Sequence, residues 1–475
     1  MIQERSILSQ LDAYYNGEQR IEDLGISVPP VMRHLRTVTG WPRLVVDALD
    51  ERLDVQGFRY PNSTNADSDL WSIWQANNLD EESQLAHLDA LIFGRAFVMV
   101  GTNPTPGAPP LITVESPMNM TARWDARTRL VTAALQVYAM DGEDAATLFT
   151  ENETVTLKKP ATGSWAVVSR DMHNLGQCPV VMVANRQRSN DRYGRSEITP
   201  EVRSITDAGC RTLLGLEGAR EFYAVPQRWA LNVTEEAFQD AQGNNRTGWE
   251  AAMSKLWAIP PNSTGDDPIQ VGQFTPMSPS VYTDIVDLYA RIMSSITGMP
   301  PHFLGMTTDN PASADAIRSA ESRLNKRAQR RQGQFSGGWE AVMRLALALA
   351  NGGTTPDDAK QIETIWADPQ TPTPSAAAMA ILQQVQAGVM PATSEVALEQ
   401  LGYGPLERQR IIADRARDAG LSILAELSQS LQYKEARADI AVATDLGVHT
   451  PPAAPTPAAP VKPVPVEKPA NGSGG

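Results

Sequence analysis

Between Val281 and Ala350 the chain sorts its charge onto neighbouring helices, and this constrains the fold more than any other stretch. Val281, Ile285, Leu288, Ile292 and Ile296 recur every three or four residues, the spacing of one helical face. Asp284, Asp287 and Arg291 fall on the other faces. A breaker-rich loop follows, Gly298-Met299-Pro300-Pro301-His302-Phe303-Leu304-Gly305, and extends to Asn310-Pro311. Connections between packed helices are mostly shorter than this. From Ser313 to Ala350 the pattern predicts a second helix, ~50 Å long at 1.5 Å per residue, kinked at Gly333, Gly337 and Gly338. Between Arg318 and Arg331 it gathers Arg318, Arg323, Lys326, Arg327, Arg330 and Arg331, relieved only by Glu321. An acidic helix, a Pro/Gly loop with apolar tips and a basic helix in series suit a large charged partner better than a small catalytic pocket.

The 475 residues suffice for roughly two to four domains. The net charge is −14, whereas a freely exposed nucleic-acid binder is ordinarily basic. Tight binding of nucleic acid over the whole surface is therefore excluded, although like charge lets a duplex slide past without sticking. The two cysteines, Cys178 and Cys210, lie far apart and lack metal-ligand spacing, which fits a reducing compartment. The N-terminus has no apolar signal core, and no apolar run is long enough to span a bilayer. These features predict a protein that is cytosolic when made, with no membrane partner.

Residues 1 to about 100 read as mostly helical. A stripe of Ile7, Leu8, Leu11, Tyr14 and Tyr15 ends at Asn16-Gly17, and a helix opened by Pro42 is stopped by Gly57. Two further helices, between Asp69 and Phe93, carry Trp71 and Trp74 as core. From Arg95 the period changes to two. Strands are predicted at Ala96–Val100, Leu111–Glu115, Asn119–Trp124, Leu130–Tyr138, Glu153–Lys158, Trp165–Arg170 and Pro179–Ala184. A helix from about Thr199 to Phe222, capped by Ser196 or Thr199, precedes a small unit at 223–277. That unit has strands at Arg228–Val233 and Lys255–Ile259 and a helix at Thr234–Ala241. Because it separates two helices, those helices are expected to pack as an antiparallel pair. Residues 353–373 read as linker and strand. Short helices follow at Ala376–Gly388, Ser394–Leu401 and Leu406–Lys434, and the tail from Thr450 is too rich in Pro and Ala to bury a core. The fold class is α+β.

No Lys directly follows a Gly, so a phosphate loop is absent and any ATP-driven motor must be another protein. There is no H-E-x-x-H and no G-x-S-x-G, and His34, His87, His173, His302 and His449 are scattered without ligand spacing. No catalytic residue, metal site or cofactor is predicted. Asp284 and Asp287 are either a carboxylate pair or, with no His or third acid beside them, a solvated or lumen-facing helix edge. The basic helix also has two readings: ion pairs within and between subunits, or salt-sensitive contacts to nucleic-acid phosphates.

Several segments in order resemble the portal proteins (head-to-tail connectors) of tailed double-stranded DNA phages, of the long-tailed type. They are Tyr14-Tyr15-Asn16-Gly17, Val45-Val46-Asp47 with Gly57-Phe58, Asp89–Val98 around Gly94, and Tyr193-Gly194-Arg195-Ser196-Glu197-Ile198. Next come Thr297–Pro301 with Leu304-Gly305, Asn310–Ile317 with Glu321, Trp366–Pro369, and Ala387-Gly388-Val389. The resemblance implies a mainly helical portal fold: a wing at 1–197, helical then β-rich; stem helices at 198–222 and 278–297; and a small α/β clip at 223–277. It further implies a tunnel loop at 298–312, a long kinked helix returning to the wing at 313–373, a crown at 374–448 and a disordered tail at 449–475. It implies a ring, usually of twelve subunits, at one capsid vertex of the virion, assembled in the host cytoplasm. Such a ring conducts double-stranded DNA during packaging and ejection. Its implied partners are terminase, a head–tail adaptor, and the major capsid and scaffolding proteins. Within that frame Gly298–Gly305 is expected to form the constriction, Asp284 and Asp287 to keep the stem lumen negative, and the basic helix to serve mainly subunit contacts. The competing classes are a minor capsid or scaffold protein that never encloses DNA, and a nucleic-acid-processing enzyme. The enzyme needs an acid cluster or phosphate loop that the sequence does not display.

Overall fold

A computed structural model describes residues 2–19, 37–61, 63, 66–140, 142–160, 163–224, 228–232, 268, 270–273, 278–306, 314–370, 374–391 and 394–445. The helix expected at Thr234–Ala241, the strand at Lys255–Ile259, the Asn310-Pro311 end of the loop and the Pro/Ala-rich tail lie outside these residues. The chain divides into two compact units, Met1–Pro405 and Leu406–Gly475.

The first unit begins with α1 (Ile2–Tyr15) and α2 (Trp41–Asp50), the latter with a proline in its first turn. Here the structure corrects the reading at Gly57. The helix stops at Asp50, and Gly57 lies inside β1 (Val55–Arg59), which pairs antiparallel with Glu363–Trp366. The register slips between Val55 and Gly57, so the glycine marks a strand irregularity rather than a helix end. Helices α3 (Ser68–Ala76) and α4 (Leu79–Phe93) follow. The Asp67 carboxylate caps α3 by accepting from the backbone N–H groups of Asp69 and Leu70.

Eight strands come next: β2 (Arg95–Gly101), β3 (Leu111–Glu115), β4 (Met120–Trp124), β5 (Val131–Met140), β6 (Glu143–Phe149), β7 (Thr154–Lys159), β8 (Ala166–Asp171) and β9 (Val180–Ala184). They form one sheet in the order β3-β2-β9 and a second, antiparallel sheet in the order β4-β5-β6-β7-β8. Side chains alternate across a strand, so β2 serves two cores. Ala96, Val98 and Val100 join the main core, while Phe97 joins a smaller one with Met120, Ala134, Phe149, Val180 and Met182. Strand β6 is absent from the sequence reading because Glu143, Asp144 and two alanines give it little intrinsic β preference. Its partners on both sides hold it in place.

Helix α5 (Pro200–Ala224) begins at Thr199, whose hydroxyl accepts from Val202 N at 3.5 Å, so Thr199 rather than Ser196 is the cap. The described part of the insertion that follows centres on β10 (Arg228–Leu231) and β11 (Gln270–Gln273), an antiparallel pair. Helix α6 (Ser280–Thr297) packs on α5. A Cβ on Gly215, late in α5, would stand 3.2 Å from the Tyr282 ring, early in α6. Conversely, Thr199 and Val202 share a cleft with Ile296 and Thr297. The two helices are therefore antiparallel, as the insertion between them predicts.

Helix α7 (Ala314–Ala350) is a single element of 37 residues. Leu324, Ala328, Phe335, Trp339, Val342 and Ala346 are buried in the main core at helical spacing. Gly338 is a packing residue: a Cβ there would meet Val183 of β9 at 2.9 Å. Beyond α7 come β12 (Glu363–Trp366), α8 (Pro374–Gln386) and α9 (Glu395–Gln400). The last described helix, α10 (Pro405–Asp445), has 41 residues, not the short span expected. No proline lies between Pro405 and Pro451, so nothing in the sequence stops it. It leaves Leu421, Ile423, Leu424, Leu427 and Leu431 exposed.

Candidate functional site

The Tyr193–Glu197 segment is held by backbone groups at a three-way junction. Asn185 N donates to Gly94 O at 2.8 Å, Arg195 N to Asn185 O at 2.7 Å, and Glu197 N to Leu91 O at 2.9 Å. The approach is so close that a Cβ on Gly194, whose φ is +86°, would stand 2.1 Å from Gly94 O. This packing drives Glu197 into the interior, 1% exposed, where a carboxylate requires partners. Arg331 Nε donates to its Oε1 at 2.7 Å, Arg327 Nη2 to its Oε2 at 2.7 Å, and Asn185 Nδ2 to Oε1 at 3.1 Å. Arg186 stands 3.8 Å from Oε2. Burial alone would push the Glu197 pKa up; the charges of Arg331, Arg327 and Arg186 outweigh it and hold the carboxyl below its ordinary range. Burial pushes the Arg327 guanidinium down against the pull of Glu197, but an arginine starts so high that it stays charged.

The basic helix is thereby divided. Arg327 and Arg331 are ion-paired within the subunit to Glu197, one of the roles expected of the basic helix. Arg323 also turns inward in part, donating to Ser295 O at the end of α6 at 3.0 Å. Arg318, Lys326 and Arg330 are exposed. The sequence signal for the clamp was a single acid beside Ile198 in an Arg-rich loop, together with two arginines four apart on one helical face.

Helix α6 has three distinct sides. Tyr282, Val286, Tyr289, Ala290, Met293 and Thr297 turn inward. The apolar stripe of the sequence reading turns outward: Val281, Leu288, Ile292 and Ile296 are 38–50% exposed. Asp284, Asp287 and Arg291 are exposed on a separate edge.

The loop after α6 is folded onto its own chain. Gly298 caps the helix with φ +71°, its N–H bonded to Ser294 O, and Ser294 Oγ donates to Met299 O at 2.8 Å. Gly298, Met299 and Pro300 are buried. Pro301–Leu304 makes one 3₁₀ turn ended by Gly305. Phe303 and Leu304 pack against the main core, with the Arg52 guanidinium 5.9 Å above the Phe303 ring. Pro301, His302 and Gly305 remain exposed, and His302 Nε2 stands 3.7 Å from Glu321. The buried residues thus belong to the core of the subunit, and only the exposed ones are placed to meet anything outside it.

Among the described residues no group of His, Cys, Asp or Glu is placed to hold a metal ion, and no helix is long and apolar enough to cross a membrane.

Residues 1–402 match the family model described as phage portal protein, SPP1 Gp6-like. The chain belongs to the phage portal protein family. The portal protein of Mycobacterium phage D29 is 39% identical over 409 residues, covering 84% of this chain and 83% of that relative. The portal protein of Mycobacterium phage L5 is 38% identical over 414 residues, covering 85% and 84%. A chain in the solved neck of a native GTA particle, computed with C12 symmetry, is 14% identical over 77% of this chain and 91% of that one, with a TM-score of 0.42. The portal family is a class of structural proteins rather than enzymes. Its match ends close to Pro405, where the first compact unit also ends.

Proposed function

We propose that this portal-family chain forms a closed ring at one capsid vertex, conducts double-stranded DNA during packaging and ejection, and presents a docking face to the terminase and later to the head–tail adaptor. The observation that carries the reading is the antiparallel α5–α6 pair. It has an insertion at its far end, and α6 leads through a capped loop into α7, whose second half is buried in the main core. In this reading 1–197 is the wing, α5 and α6 are the stem, 223–277 is the clip and 374–448 the crown. Asp284 and Asp287 line the lumen, where like charge keeps a sliding duplex from adhering. The constriction is assigned to the exposed turn at Pro301, His302 and Gly305, because Met299 and Pro300 are buried. The exposed leucines of α10 suit a helix that is covered on assembly.

Electron microscopy of the purified full chain tests the reading. Rings of about a dozen subunits with a central hole wide enough for a duplex are expected. Monomers at every concentration, or assemblies without a hole, overturn it and favour a minor capsid or scaffold role.

A further inference from the structure

A cleft of about 540 Å³ opens where the start of α5, the end of α6 and the middle of α7 converge. Arg186, Arg323, Lys326, Arg327, Arg330 and Arg331 line it, against the carboxylates of Glu197 and Glu201. Glu197 is consumed at its base by Arg327 and Arg331. The cleft therefore keeps an excess of positive charge, in a chain whose net charge is −14. Lys326 and Arg330 stand exposed at its mouth.

We propose that this cleft receives a carboxylate-bearing segment of a second copy of the chain; this rests on the ring reading above and assigns one contact within it.

Three observations select an acidic protein over DNA. First, Ile296 belongs both to the cleft lining and to the exposed stripe of α6, so the cationic pocket continues into an apolar strip through Ile292 and Leu288. An apolar strip bordered by charge is the anatomy of a protein interface, whereas phosphates gain nothing from an isoleucine row. Second, a duplex carries its phosphates on a convex cylinder and cannot enter a cleft of this size, while one or two acidic side chains can. Third, fixed phosphate contacts at the end of the stem would hold the DNA that the ring must let slide. The chain itself is the acidic protein present in every assembly. A closed ring brings a different face of each copy against its neighbour, so a cationic cleft need not meet itself. At about 100° per residue, the edge carrying Asp284 and Asp287 lies roughly a quarter turn or more from the stripe. The side of α6 that continues into the cleft thus differs from the side assigned to the lumen.

The test uses the full chain with Lys326→Glu and Arg330→Glu together. Neither residue touches Glu197, so a melt close to that of the wild type is expected. Sedimentation should show self-association weakened by about tenfold or more, and Ile292→Ser, on the stripe, should weaken it in the same direction. In wild-type rings assembled from mixed ¹⁴N and ¹⁵N subunits, a carbodiimide should join the Lys326 amine to an Asp or Glu of another copy, identified by mass spectrometry. Charge-reversed rings that form as readily as the wild type, or Lys326 adducts confined within one subunit, overturn the proposal. So does a variant that forms normal rings but loses salt-dependent duplex binding, which would assign the cleft to DNA. If the wild type itself makes no rings, the ring reading falls first and this contact with it.

Discussion

Arg331 Nε donates to Glu197 Oε1 at 2.7 Å across 134 residues of sequence, tying the segment that starts α5 to the middle of α7. Both side chains are at least nine-tenths buried, so removing either leaves an unpaired charge in a low-dielectric interior. Glu197→Gln is expected to cost about 3–5 kcal/mol, read as a lower denaturant midpoint, and adding Arg331→Met should restore part of it. The Glu197 pKa is lowered in the folded chain. Its contribution is therefore present above the ordinary carboxylate pKa and is lost as pH falls through the folded value, and the Gln variant should lack that acid limb. Charge reversal at Arg327 should unfold its own subunit, so assembly lost that way says nothing about the interface.

His87 and Trp339 make a second buried polar pair. Trp339 Nε1 donates to His87 Nε2 at 2.8 Å, and the imidazole stacks on Phe335 with ring centroids 5.2 Å apart. Burial holds the His87 pKa down to about 3, which keeps Nε2 free to accept. His87→Phe preserves the stacking but orphans the indole N–H, and a loss of about 1–3 kcal/mol is expected. An unchanged thermal midpoint would mean that the indole finds another acceptor.

Asp50 is expected to make stability fall as pH rises. Burial, then Asp47, Asp54 and Glu51, push its carboxyl up to about 7. Because the folded state holds the proton more tightly, the contribution is fully present below the unfolded pKa and is lost as pH climbs through about 7. Asp50→Asn should be more stable than the wild type at pH 8 by roughly 1–3 kcal/mol, with the gap closing towards pH 5. A gap of equal size at both pH values would contradict this origin.

Gly194→Ala tests the junction that buries Glu197. The new methyl would stand 2.1 Å from Gly94 O, at a φ of +86° that disfavours any side chain. Two backbone segments would have to separate, and a cost of at least about 3 kcal/mol is expected, with aggregation on expression if the junction fails to close. Gly107→Ala, at a similar φ of +82° but with open space around it, should cost much less.

For the proposed conduit, Asp284→Lys with Asp287→Lys is the informative pair. Both residues are exposed, so folding and ring formation should survive. A cationic lumen should instead hold the duplex, and filled heads should fall about tenfold or more in a packaging assay, less so at raised salt. Normal packaging would remove these residues from the tunnel wall.

Periodicity, caps and breakers are local properties, and the sequence by itself determined what they control. The helices α3 to α6, most strands between Arg95 and Ala184, the antiparallel α5–α6 pair and the breakers at Gly298 and Gly305 were all legible. Family membership was too, through short segments in a set order. Tertiary structure alone decided which face of each element is inside. The spacing of the α6 stripe marked out one face without saying where it points, and Tyr289, Ala290 and Met293 took the interior because α5 and the main core lie on their side. Strand β6 and the Gly57 strand exist through partners that pay their local cost. Above all, the six cations between Arg318 and Arg331 read alike in sequence. A single carboxylate, driven inward by the contact of Gly194 with Gly94, sorted them into two structural ligands and an exposed remainder. Hydrophobic spacing says that a helix has sides; only burial against distant residues fixes which side a charge can leave.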